Sequence, residues 1–287
     1  MNCLLLLLAL TGARAGSISE HYGDAAEAHY ALCRRTEQET GDDPARVVGV
    51  WKACLAEAER LSFTSILPAI RGNLAMASAE LDASRGPAKT EDERIEVLLT
   101  SLARQRDVEF RLESLSGLMR RYISSDRGRS RMAPYRDISF RWVNQASLDQ
   151  GLGEINEVVR RYVEDAGFRW ADFGSQNGAQ ADIICRGTVR ARVKAPEAGA
   201  EGDPLSRLPV VETVIAIDSI RLVGKEASLQ GFLTTRSAQA ASEHGALDAS
   251  LHETARAMSA TLMHLVIQNA FAGAIDIEEH LDPPEDL

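Results

Sequence analysis

Between residues 22 and 81 apolar residues recur at spacings of three and four, the period of an amphipathic helix, and turn signals split the run into helices over 22–35, 44–61 and 64–81. In the second of these Val47, Val50, Trp51, Cys54, Leu55 and Ala58 form one apolar stripe. Pro44 suits its first turn, with Asp42 or Asp43 as cap. A breaker, Ser84-Arg85-Gly86-Pro87, ends this helical region, and Thr90 with Glu93 predicts a capping box that opens a long helix. Its stripe runs from Ile95 through Leu98, Leu99 and Leu102, is interrupted at Gln105-Arg106-Asp107, and resumes from Val108 to Tyr122. A shifted stripe excludes a continuous coiled coil and leaves one long packing helix, or two, as a connector. No second copy of a 34-residue helical repeat is found in the first region.

The pattern then changes period. Ile138, Phe140 and Trp142 alternate along a strand; Leu152, Ile155, Val158, Val159 and Tyr162 return to helical spacing after a cap at Asp149, ending near Gly167. Strands follow over 168–173, 181–193, 210–223 and 227–236, the last two turned at Gly224-Lys225. Along 181–193 one parity reads Ile183, Cys185, Val189 and Val193, the other Arg186, Thr188, Arg190 and Arg192, which predicts a sheet with one wet face. A closing helix over 246–271 carries Leu247, Leu251, Ala255, Met258, Leu262, Leu265, Val266 and Asn269 as a single stripe. The fold class expected is α+β: a helical N-terminal module, then a mixed or antiparallel sheet covered by two helices. The divisions are a signal peptide over 1–15, a helical hairpin or bundle over 16–85, a long helix with an arginine-rich linker over 90–136, an α/β domain over 137–272 and an acidic disordered tail over 273–287.

Composition sets the compartment. The run from Leu4 to Leu10 followed by Ala13-Arg14-Ala15 matches an export leader, too short for the roughly 20 residues that span a bilayer, and no later segment reaches that length. A periplasmic chain without a transmembrane segment is expected. Export exposes Cys33, Cys54 and Cys185 to oxidation, and Cys33 with Cys54, on adjacent helices across a Gly41-to-Pro44 turn, are the expected disulfide. Cys185 reads as a small core residue. The net charge is -10, or -11 once residues 1–15 are removed, which argues against a nucleic-acid partner.

Candidate chemistry is sparse. His252-Glu253 and His264 share the closing helix, but the two histidines stand about 18 Å apart along it and cannot meet one metal. Glu154 and Glu157 lie one turn apart and read as a solvated pair. No catalytic residue, no metal site and no cofactor is expected; the chain is read as not an enzyme. Six arginines between 120 and 136 face only Asp126 and Asp137, as a solvated linker or a site for an acidic partner. Arg186, Arg190 and Arg192, with Arg236 of the neighbouring Thr234-Thr235-Arg236-Ser237 segment, form a possible anion or partner face through bidentate contacts.

Taken together, a helix ending at Gly167-Phe168, the Ala181-Asp182-Ile-Ile-Cys-Arg-Gly187 strand, two long strands and the Ala-rich helix around 253–260 resemble the small α/β envelope domain at the N-terminus of TolB, found with variations in CsgG and FlgT. The resemblance covers about 130 residues; the β-propeller of TolB and the lipobox cysteine of CsgG are not matched. It implies a non-enzymatic assembly role in a bacterial envelope machine, with envelope proteins as partners and the sheet edge or loops used for docking. The rival reading is a binder of an anionic small ligand or polysaccharide on the arginine-bearing sheet face.

Overall fold

The computed structural model describes residues 18–85, 90–144, 152–172, 181–194, 208–225 and 227–271. The export leader, the Asp149 cap, the end of the strand expected over 168–173 and the acidic tail lie outside the described residues. Helices α1 (Ile18–Thr40), α2 (Pro44–Arg60) and α3 (Leu67–Arg85) come first, then α4 (Glu91–Ala103), α5 (Leu112–Ser124) and α6 (Asp126–Met132). The remainder is β1 (Asp137–Asn144), α7 (Leu152–Asp165), β2 (Arg169–Trp170), β3 (Ile183–Lys194), β4 (Val210–Leu222), β5 (Ala227–Gln239) and α8 (Glu243–Phe271). This is the α+β class expected, and the sheet is mixed.

Local chemistry explains the helix ends. Asp43 accepts hydrogen bonds from the Ala45 and Arg46 amides at 3.0 and 3.5 Å, and Gly41, at φ 76°, supplies the left-handed turn between α1 and α2. Thr90 and Glu93 close the capping box reciprocally, at 3.3 and 3.1 Å. The polar interruption after Leu102 separates α4 from α5, so of the two arrangements the shifted stripe left open, one long helix or two, the chain adopts two. The reason lies in Asp107, whose φ of 56° breaks helical geometry, and in the Glu109 amide, which donates to Pro68 O at 3.0 Å on α3 rather than within a helix. Gly72 permits this approach, because a Cβ there would overlap the Glu109 carbonyl.

The strand order is β2-β1-β3-β4-β5, with β1 parallel to β2 and β3, and β4 antiparallel to β3 and β5. Helices α7 and α8 lie on one face, and α4 and α5 pack behind α8 as a third layer. The closing helix therefore does more than the single stripe expected of it. Leu251, Met258 and Leu262 are buried, and so are Ser259, Met263 and His264, because neighbours enclose the helix from more than one side. His264 Nε2 donates to Leu102 O at 3.0 Å, and Gln268 to Gln105 O at 2.9 Å.

The arginine-rich linker is not a linker. Arg120 and Arg121 sit on α5 and Arg127, Arg129 and Arg131 on α6. Glu96 of α4, distant in sequence, ion-pairs with both Arg127, at 2.7 Å, and Arg131. Arg131 also donates to Ala270 O at 3.1 Å and lies 4.3 Å over the Phe271 ring. These cations pin α6 to α4 and α8. Nor does the helical module end cleanly at residue 85: Ile70 and Ala77 of α3 join the small core around Trp51, whereas Ala75 and Ala79 join the main core.

Candidate interaction surface

Period-two alternation decides which β3 side chains meet the helices. Ile183, Cys185 and Val189 are buried on the covered face, and Arg186, Arg190 and Arg192 are exposed on the other, as their parity predicts. Val193, expected inward, is 50% exposed. It sits one residue from the end of β3, beside an open cleft that it lines with Glu243, His244 and Leu247 of α8.

Arg236 corrects the expected constellation. Its register partner on β4 is Thr213, which is fully buried and whose hydroxyl lies 2.6 Å from Ser250 Oγ on α8. Cross-strand partners share a face, so Arg236 points to the covered side, away from Arg186, Arg190 and Arg192. There it ion-pairs with Glu109 and donates to Thr235 O at 2.9 Å. Adjacent residues in a strand point to opposite faces, so sequence proximity to Thr235 placed Arg236 on the wrong side.

The open face has members that reading β3 alone did not find. Arg141 of β1 stands directly beside Arg186, and Arg221 of β4 is exposed beside Ile184. Arg186 and Arg190 have no ion-pair partner among the described residues, whereas Arg192 and Lys194 converge on Glu212 at 2.6 and 3.0 Å. The Lys194 ammonium first, and then the Arg192 guanidinium, hold the Glu212 carboxyl below its ordinary value of 4.5. Beside these charges Leu233 is 65% exposed on β5, opposite Ala216, and Val143 is 48% exposed on β1. The opposite edge of β5, 13 residues long, pairs with no strand among the described residues. The signal for Leu233 was present as parity in β5, but Phe232 and Leu233 are adjacent apolar residues on opposite faces, and the sequence does not declare which of them faces the helices.

The other chemistry-bearing residues are structural. Cys33 and Cys54 form the expected disulfide, with Cα atoms 6.1 Å apart. His29 Nε2 and the two sulfurs lie within 4.8 Å of one another, yet both sulfurs are spent in the bond, and His29 donates to Cys54 O at 3.1 Å. Burial pushes the Cys185 thiol far above its ordinary range, which leaves it without a nucleophilic thiolate. Burial lowers the His264 pKa, the hydrogen bond to Leu102 opposing it. His252 meets Tyr162 Oη at 3.1 Å through Nδ1 and Asp248 at 3.5 Å through Nε2. Glu154 and Glu157 are exposed. No helix of the described residues is long and apolar enough to cross a membrane.

No protein-family model and no curated protein matches this chain. Among solved structures, similarity is found to a PelC dodecamer from Paraburkholderia phytofirmans, at 13% identity and a TM-score of 0.28, over 46% of this chain and 87% of that one. A putative lipoprotein from Caulobacter crescentus matches at 13% identity and a TM-score of 0.27, over 51% of this chain and 96% of that one. A DUF330 protein from Xanthomonas campestris gives 12% identity and a TM-score of 0.26, over 49% and 88%. At these scores the residues of the site, and not the neighbours, carry the functional reading.

Proposed function

We propose that this chain is a non-enzymatic, exported interaction component of a bacterial envelope assembly, and that it docks a protein partner on the uncovered sheet face and the free edge of β5. The observation that carries this reading is the presence on one face of exposed Leu233 with exposed Arg186 and Arg190. A free edge strand offers unpaired backbone groups to a partner's strand, and the apolar side chains beside it supply area for burial. The leader-like N-terminal pattern, the Cys33–Cys54 disulfide and the resemblance of 138–271 to the TolB, CsgG and FlgT domains support an oxidising envelope compartment.

The test is photo-crosslinking of the exported chain in its native envelope, with the crosslinker placed at Leu233 in one sample and at the exposed Arg71 of α3 in another. A defined adduct at position 233 that is missing at 71, and is lost in an Arg186→Glu, Arg190→Glu background, is the expected result. Equal labelling at both positions, or none at 233, sinks the reading. The exposed Arg186 and Arg190, without an ion pair among the described residues, favour the second reading, an anionic ligand or polysaccharide on the same face. That reading predicts retention on an anionic polymer that falls with Arg190→Ala in the purified chain.

A further inference from the structure

A second basic site lies on the other side of the sheet, where α1, the start of α3, the α4–α5 connection, β5 and α8 meet. A cleft of about 150 Å³ there is lined by Arg34 of α1, Arg111 just before α5, Arg236 of β5 and Arg256 of α8, with Glu109 and Glu253 as the acids. Four guanidinium groups stand against these two carboxylates and Glu113, which pairs with Arg256 from outside the lining, and leave a local excess of one positive charge in a chain whose net charge is -10.

The four arginines fall into two classes. Arg236 is held by Glu109, and Arg256 by Glu113 and Glu253 at 3.4 and 3.3 Å. Arg34 and Arg111 have no such partner among the described residues, and each buries an Nε that meets no acceptor. A buried charged donor without an acceptor is costly, and folded proteins seldom leave one so. Arg111 is also the N-cap residue of α5, a helix without a side-chain cap, so the positive end of its dipole adds to the same cleft.

We infer that this cleft binds a small doubly charged oxygen anion, a phosphate-type oxyanion or a short dicarboxylate, with Arg34 and Arg111 as its principal donors. Planar guanidinium forks match the oxygen pairs of both ions. The volume is that of about five water molecules at ~30 Å³ each, enough for one such ion with residual water and too little for a nucleotide. Because the walls come from α1, the α4–α5 connection, β5 and α8, the bound anion clamps the small helical core to the sheet layer. This inference is independent of docking on the open face.

Isothermal titration calorimetry and thermal unfolding of the full chain test it, with sodium phosphate in one arm, sodium succinate in another and sodium chloride of equal ionic strength as reference. Saturable one-site binding of phosphate or succinate, with a dissociation constant below about 1 mM, is expected. The pair Arg34→Gln, Arg111→Gln should weaken it about ten- to a hundredfold, the effect of losing charged hydrogen bonds, while Arg190→Gln on the open face leaves it unchanged. If circular dichroism shows the double variant unfolded, Arg111→Lys, which keeps the charge and removes the fork, should still weaken binding about tenfold. No saturable heat with either anion, or affinity unchanged in the folded variant, overturns the site; preference between the two arms identifies the chemistry of the ligand.

Discussion

The cluster around Trp51 and the cluster beneath the sheet lie on either side of α3, and they are stabilised differently. Among the described residues the first gathers nine buried side chains, Trp51, Phe63, Ile66 and Ile70 being its bulk, and carries the disulfide inside it. The second gathers thirty-eight of the described residues, from α3 to α8, and its cysteine, Cys185, is unpaired filler. Three helices bury too little apolar surface to offset the entropy of ordering them, so a cross-link that restricts the unfolded chain matters there; the main core buries enough to dispense with one. What differs is the number of buried side chains that each cluster gathers.

The comparison is broken or sharpened most strongly at Phe271. This side chain is fully buried in the main core, 5.6 Å from the Tyr122 ring and under Arg131. Phe271→Ala should cost about 3–5 kcal/mol, measured by denaturant unfolding, and should destabilise the sheet and α4–α6 together. A loss under about 1 kcal/mol would mean that the main core does not depend on α8 as its centre.

Cys33→Ser comes next, at about 3 kcal/mol for a cross-link spanning 21 residues. Its effect should be local. Hydrogen exchange should show α1 and α2 losing protection while α8 keeps it, and reduction of the wild type should reproduce that map. Uniform loss of protection would show one cooperative unit in place of two.

A smaller effect concerns pH. His264 has a pKa below its ordinary 6.5 in the fold, so between that lowered value and 6.5 the unfolded chain binds the extra proton. The contribution is present above about pH 6.5 and is lost as pH falls towards the folded value. His264→Gln should flatten the decline in the unfolding midpoint between pH 7 and pH 5; an identical decline in both chains would remove this histidine from the account. The smallest stability effect is expected at Leu233→Asp, within about 0.5 kcal/mol, because the side chain is exposed. The same substitution should abolish the crosslinked adduct, which separates a docking residue from a structural one.

Much of this was legible in the sequence because it is local. Asp43 and Gly41 mark one helix boundary and Thr90 with Glu93 another, since a cap is a contact between residues within one turn. The strand alternation placed Arg186, Arg190 and Arg192 on an exposed face, and hairpin geometry across a short turn anticipated Cys33–Cys54. Arg236 was misplaced, because neighbours in a strand face opposite ways and only the register against Thr213 reveals which. Arg127 and Arg131 of α6 looked unpaired for a similar reason: their carboxylate, Glu96, is thirty or more residues away in the chain.

The sequence by itself determined the periodicities, and with them the α+β class, the order of the strands and of most helices, and the disulfide, because each depends on spacings of a few residues or on one turn. Only the tertiary structure decided that α8 is enclosed from both the sheet and α4, that α3 serves two cores, and that Arg34, Arg111, Arg236 and Arg256 converge on one cleft. Those residues lie on α1, before α5, on β5 and on α8, and no local rule of spacing links them. They are neighbours because hydrophobic burial stacked three layers, and burial is indifferent to distance along the chain.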